Sequence, residues 1–132
     1  MDKPAGRVVM IESPYRESDR GANLRYLAWC ELDSFRRGEF PISSHGNCTA
    51  YLPEDETGRE RGFEWRNRIR WFCDEVVYYT DLTFTEGMRL AQEEDRKSKV
   101  CTSYRVLPPE LMGLFRSGLY PSSSMRRIAL ET

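Results

Sequence analysis

The sequence predicts a three-layer α/β fold, a parallel sheet of four strands in the order 2-1-3-4 with helices on both faces. Short apolar, β-branched runs alternate along the chain with segments whose apolar residues recur every three or four positions. Every connection between successive runs is long enough to hold a helix, which makes parallel pairing with right-handed crossovers the economical topology. The 132 residues fit one domain. Its core spans about residues 7–107, and 108–132 add a C-terminal helix and tail.

Taken in order, the first strand is residues 7–12 (RVVMIE), stopped at Ser13-Pro14 because proline cannot extend a ladder. After a polar loop over 15–21, Leu24, Leu27, Ala28, Leu32 and Phe35 predict a helix over about 22–37, with Gly38 as its stop. Glu31 falls within that stripe, where its stem can pack while its carboxylate reaches the edge. Residues 39–44 (EFPISS) read as a short second strand, and Pro41 puts it at a sheet edge. A long polar loop over 45–56 leads to a helix opened by Thr57 and Glu60 as a capping box.

That helix places Gly58, Gly62, Trp65, Ile69 and Phe72 on one face. Arg59, Arg61, Arg66, Arg68 and Arg70 occupy the rest, an arrangement expected of a solvated face laced with ion pairs. Residues 75–79 (EVVYY) are the clearest strand. A loop over 80–84, a third helix from Thr85 to about Lys97 and a fourth strand over 100–106 follow. Pro108-Pro109, a short helix over 110–116 and a tail with three serines complete the chain.

Charge is abundant but balanced, with 20 basic and 21 acidic residues for a net charge of −1. No long-range positive field exists to gather phosphates, so extended nucleic acid is not an expected partner. Cysteines at 30, 48, 73 and 101 offer neither a redox pair nor a zinc knuckle. The first residues show no secretory signal, and no apolar run approaches the roughly 20 residues of a membrane span. The expectation is a cytoplasmic domain.

In doubly wound sheets ligands lie beyond the carboxyl ends of the strands, where the strand order reverses. With order 2-1-3-4 that point lies between the first and third strands, which singles out the loops over 13–21 and 80–86. Ser13, Tyr15 and Arg16 offer backbone donors and a guanidinium to a phosphate or sugar. Residues 13–20 contain no glycine, so this is neither a dinucleotide fingerprint nor a P-loop. Asp81 leaves the third strand where a carboxylate can bind ribose hydroxyls or act as a base; an Asx-turn or helix cap would use it equally well. Thr85 can cap the next helix, with Glu86 in its first turn as a second candidate catalytic carboxylate. Ser44 and His45 leave the second strand at the same sheet edge. His45 could be a general acid or a stacking group, but one His with Cys48 does not make a metal site, and no metal is expected.

Glu12-Ser13-Pro14-Tyr15-Arg16 resembles the (G/S)-P-Y signature of the nucleoside 2-deoxyribosyltransferase-like superfamily. Three further stretches, Arg37 to His45, Tyr79-Thr80-Asp81-Leu82 with Thr85-Glu86-Gly87-Met88, and Tyr104-Arg105-Val106-Leu107, are similar to an uncharacterised domain family of phages and bacteria related to it. The resemblance implies a Rossmann-like, flavodoxin-type fold in a bacterial or phage-infected cell. It also implies a nucleoside- or nucleotide-handling protein without a cofactor that cleaves or transfers an N-glycosidic bond. Asp81 and Glu86 would then be catalytic, and Ser13, Tyr15, Arg16, Ser44, His45, Thr85 and Met88 would hold the substrate. The transferases' nucleophilic glutamate would fall at Ala91; Glu93 or Glu94 could replace it only after turning roughly 200 to 300° around the helix. That departure keeps a non-catalytic, nucleotide-sequestering protein of phage origin open. So does a plainer reading as an oligomeric interaction domain, because Trp29, Trp71 and Phe63 fall off the core stripes and predict at least a dimer.

Overall fold

The computed structural model describes residues 6–15 and 19–131. Its elements are β1 (Val8–Glu12), α1 (Arg20–Arg36), β2 (Phe40–Ile42), α2 (Ser44–Cys48) and α3 (Glu56–Arg70). They continue as β3 (Glu75–Tyr79), α4 (Glu86–Lys97), β4 (Thr102–Arg105), α5 (Pro109–Arg116) and α6 (Ser123–Glu131). The four strands form one sheet in the order β2-β1-β3-β4, and all three pairings are parallel. The expected three-layer α/β architecture is the one observed.

Alternation along the two central strands sorts the core into two halves. Val9 and Ile11 of β1 and Val77 and Tyr79 of β3 face a cluster built with α1, α5 and α6. Met10, Val76 and Tyr78 face the opposite way, against Met88 and Ala91 of α4, with Phe63 and Ile69 of α3 packed beside them. Both faces of β1 and β3 are therefore covered, which is why the two runs read as continuous apolar segments.

The structure departs from the sequence reading at several places, Phe72 among them, expected on the apolar face of α3 and exposed just past its end. The three-serine tail carries a helix, α6, which packs on α1 together with α5. That second covering explains Trp29, expected to lie off the core and in fact fully buried, with its indole N–H donating to the Leu119 carbonyl at 2.7 Å. Phe35, expected in the core stripe, is 43% exposed, while Asp33 and Ser34 beside it are buried. The long loop after β2 holds the single-turn helix α2, capped by Ser43 through Gly46 N–H at 3.0 Å.

A further departure concerns α3, which starts at Glu56 with Asp55 as its N-cap. Asp55 accepts from Gly58 N–H at 2.9 Å, so Thr57 lies inside the first turn and no Thr57–Glu60 capping box forms. Among the three aromatics behind the expected dimer, only Trp71 is strongly exposed, since Phe63 packs against the core. No helix among the described residues is long and apolar enough to cross a membrane.

Candidate functional site

The strand order reverses between β1 and β3, and the chain leaves β1, β2 and β3 at the same carboxyl edge. Two of the expected site residues meet there. The rings of Tyr15, after β1, and His45, in α2, stack with centroids 4.8 Å apart and planes 22° apart. The Tyr15 hydroxyl donates to Glu54 Oε1 at 3.3 Å, and Arg20 at the start of α1 pairs with the same carboxylate. Tyr15 is thus held by its hydroxyl on one side and its ring on the other. Burial pushes the His45 imidazole down to about 4, with the Ser13 backbone pulling partly the other way. At neutral pH the ring is uncharged and can both donate and accept.

Ser13 completes this corner. Its side chain is fully buried, and its hydroxyl has no hydrogen-bond partner among the described residues. An unsatisfied buried hydroxyl carries a desolvation cost of about 1 to 3 kcal/mol that a bound polar group would recover. Ser44 begins α2 and is half-buried beside His45. Arg16 lies outside the described residues.

The residues after β3 are placed differently. Asp81 accepts from the Tyr26 hydroxyl at 2.7 Å and from Leu107 N–H at 2.9 and 3.2 Å, and Tyr26 accepts from Asp81 N–H at 3.1 Å. Its carboxylate joins β3 to α1 and to the segment leaving β4. Burial raises the Tyr26 phenol well above its ordinary range, so this donor keeps its proton. Thr85 caps α4 by accepting from Met88 N–H at 3.2 Å. Met88 itself is buried in the core. Glu86 is exposed on the first turn of α4, 3.4 Å from Arg89.

Beneath Ser13 lies a charge cluster that the sequence reading missed. Glu12, the last residue of β1, accepts from Arg66 Nε at 2.6 Å. Arg66 also donates to both oxygens of Asp95, at 2.8 and 2.6 Å, and Arg70 donates to Asp95 Oδ1 at 2.8 Å. The Tyr78 hydroxyl gives Asp95 a further bond at 2.5 Å. All five side chains are buried, and two carboxylates balance two guanidiniums. Burial raises Glu12 above the usual carboxylate range, with Arg66 opposing that shift. One signal could have exposed the cluster: Glu12 shares a strand face with Met10, so its carboxylate is carried into the core and needs a cation there.

The motif residues Arg37, Glu39 and Arg105 also have structural partners. Arg105 makes two bonds to Glu39, at 2.7 and 2.6 Å, and Ser34 donates to Glu39 at 2.8 Å. Burial raises the Glu39 carboxyl, but Arg105 and Ser34 outweigh it and hold the group below its ordinary range. Asp33 receives the Tyr79 hydroxyl at 2.7 Å and Arg37 Nε at 3.0 Å. Among the described residues no group of three or more His, Cys, Asp or Glu side chains could hold a metal ion.

A family model described as "Domain of unknown function (DUF7768)" matches residues 7–105. No curated protein and no solved structure matches the chain.

Proposed function

The chain belongs to the DUF7768 domain family, and on that premise we propose that it binds a nucleoside or nucleotide at the corner formed by Ser13, Tyr15 and His45. The observation that carries this reading is the pairing of a fixed aromatic stack with a buried hydroxyl that lacks a partner among the described residues, both at the carboxyl edge where the strand order reverses. A planar base can extend the Tyr15–His45 stack. A sugar hydroxyl or ring nitrogen can satisfy Ser13, and neutral His45 offers a second polar contact. The resemblance of residues 12–16 to nucleoside-handling proteins points to the same ligand class, with Arg16 as the group for a phosphate.

Binding without turnover is the form of this reading that the side chains favour. Cleavage or transfer of an N-glycosidic bond needs a free carboxylate at the sugar. Asp81 is engaged by Tyr26 and Leu107, and Ala91, where the transferases carry their nucleophile, is a buried methyl group. Thermal-shift screening against nucleosides and mononucleotides, with product analysis of every hit, tests the proposal. A ligand that raises the melting temperature of the wild type, does so less for Ser13→Ala and Tyr15→Ala, and is recovered intact supports it. Released free base would establish an enzyme, and the absence of any hit would remove the nucleoside reading.

A further inference from the structure

Away from the carboxyl-edge corner, an open cleft of about 380 Å³ lies between the C-terminal turn of α4 and the edge strand β4. We propose that this cleft is a second binding site, for a phosphate monoester that carries a planar ring. Arg96, Lys99 and Thr102 line it and supply two cations and a hydroxyl. The one acidic residue in its lining, Asp95, is already neutralised, because Arg66, Arg70 and Tyr78 occupy both of its oxygens. The exposed Glu93 carboxylate, 3.5 Å from Arg96, is a weak competitor that a dianion can displace.

The far wall is Tyr104, 52% exposed at the sheet edge. Its ring stacks on Tyr78 at 5.4 Å, and its hydroxyl accepts from Gln92 Nε2 at 2.5 Å. The ring is therefore fixed, and its exposed part can receive another ring.

The backbone marks the cleft independently. Lys99 follows α4 in the left-handed region, at φ 56°, and is the only non-glycine residue with positive φ among those described. The helix closes over it, with Lys99 N–H donating to Arg96 O and Val100 N–H to Asp95 O. Glycine fits that position without strain. Gly38 and Gly118 occupy the left-handed region after α1 and α5, at φ 79° and 83°. A lysine here costs stability, and it puts a cationic side chain among the residues that line the cleft.

Calorimetric titration with phenyl phosphate and with inorganic phosphate tests this, on the wild type, Lys99→Gly, Arg96→Gln and Glu93→Gln. Phenyl phosphate should bind at least tenfold more tightly than inorganic phosphate. Lys99→Gly should raise the melting temperature and weaken phenyl phosphate about tenfold or more. Arg96→Gln should weaken it comparably, and Glu93→Gln should strengthen it. Arg61→Gln, on the exposed face of α3, should leave it unchanged. Equal affinity of Lys99→Gly and wild type, no heat from phenyl phosphate at millimolar concentration, or no preference over inorganic phosphate would overturn the assignment.

Discussion

His45 links stability to pH with a definite sign. Its folded value of about 4 lies below the ordinary imidazole value of 6.5. Its contribution is therefore fully present above pH 6.5 and is lost as pH falls toward 4. Between pH 7.5 and 5 the wild type should lose about 1 to 2 kcal/mol more than His45→Gln, allowing for the ring's partial exposure, as read by urea unfolding at both values. Asp81 makes a second residue-level prediction. Asp81→Ala should cost about 2 to 4 kcal/mol, because it strips the acceptor from the Tyr26 hydroxyl and from Leu107 N–H. Chemical denaturation would measure it, and a change within about 0.5 kcal/mol would show that the carboxylate is a free surface group. The chain position of Asp81 was legible in the sequence, right after the best strand. Its partners were not, since Tyr26 and Leu107 stand 55 and 26 residues away and no local pattern pairs them.

At the scale of elements, α3 shows how local patterns mislead when charge is buried. Spacing alone assigned Arg66 and Arg70 to water. In fact Gly58, Arg66 and Arg70 form the buried face, because Glu12 and Asp95 wait beneath it. Arg66→Ala should cost about 3 to 5 kcal/mol by leaving both carboxylates without their main partner. Combining Arg66→Met with Glu12→Gln should cost clearly less than the sum of the two single changes, measured as a double-mutant cycle. Gly58 gives a steric counterpart: a Cβ there would stand 1.7 Å from the Pro53 carbonyl oxygen, so Gly58→Ala forces the α2–α3 connection to move. The stop of α1 was legible because the chemistry of Gly38 is local. The packing of α1 was not, because its outer face is covered by α6, and the polar run before that helix reads as a tail.

For the molecule as a whole, parallel pairing was readable from alternation and crossover length, and the order β2-β1-β3-β4, expected of a flavodoxin-type sheet, puts the ends of β1, β2 and β3 at one carboxyl edge. Within that edge the topology brought Tyr15 and His45 into contact although they are thirty residues apart. The same topology placed Asp81 and Met88 in structural roles, and left Glu86 on the surface beside Arg89. One sheet thus carries the corner of Ser13, Tyr15 and His45, proposed as the ligand site, above a neutralised charge cluster that fixes β1 to α3 and α4. The most direct test is a heteronuclear NMR titration of the full chain with a panel of nucleosides and mononucleotides. Saturable shifts centred on the backbone amides of Ser13, Tyr15, Ser44 and His45, lost in Ser13→Ala and His45→Ala while both variants keep wild-type spectra elsewhere, are the expected outcome. Spectra that do not change with any member of the panel, or shifts centred on Arg96, Lys99 and Tyr104 alone, would rule out the carboxyl-edge corner as the nucleoside site.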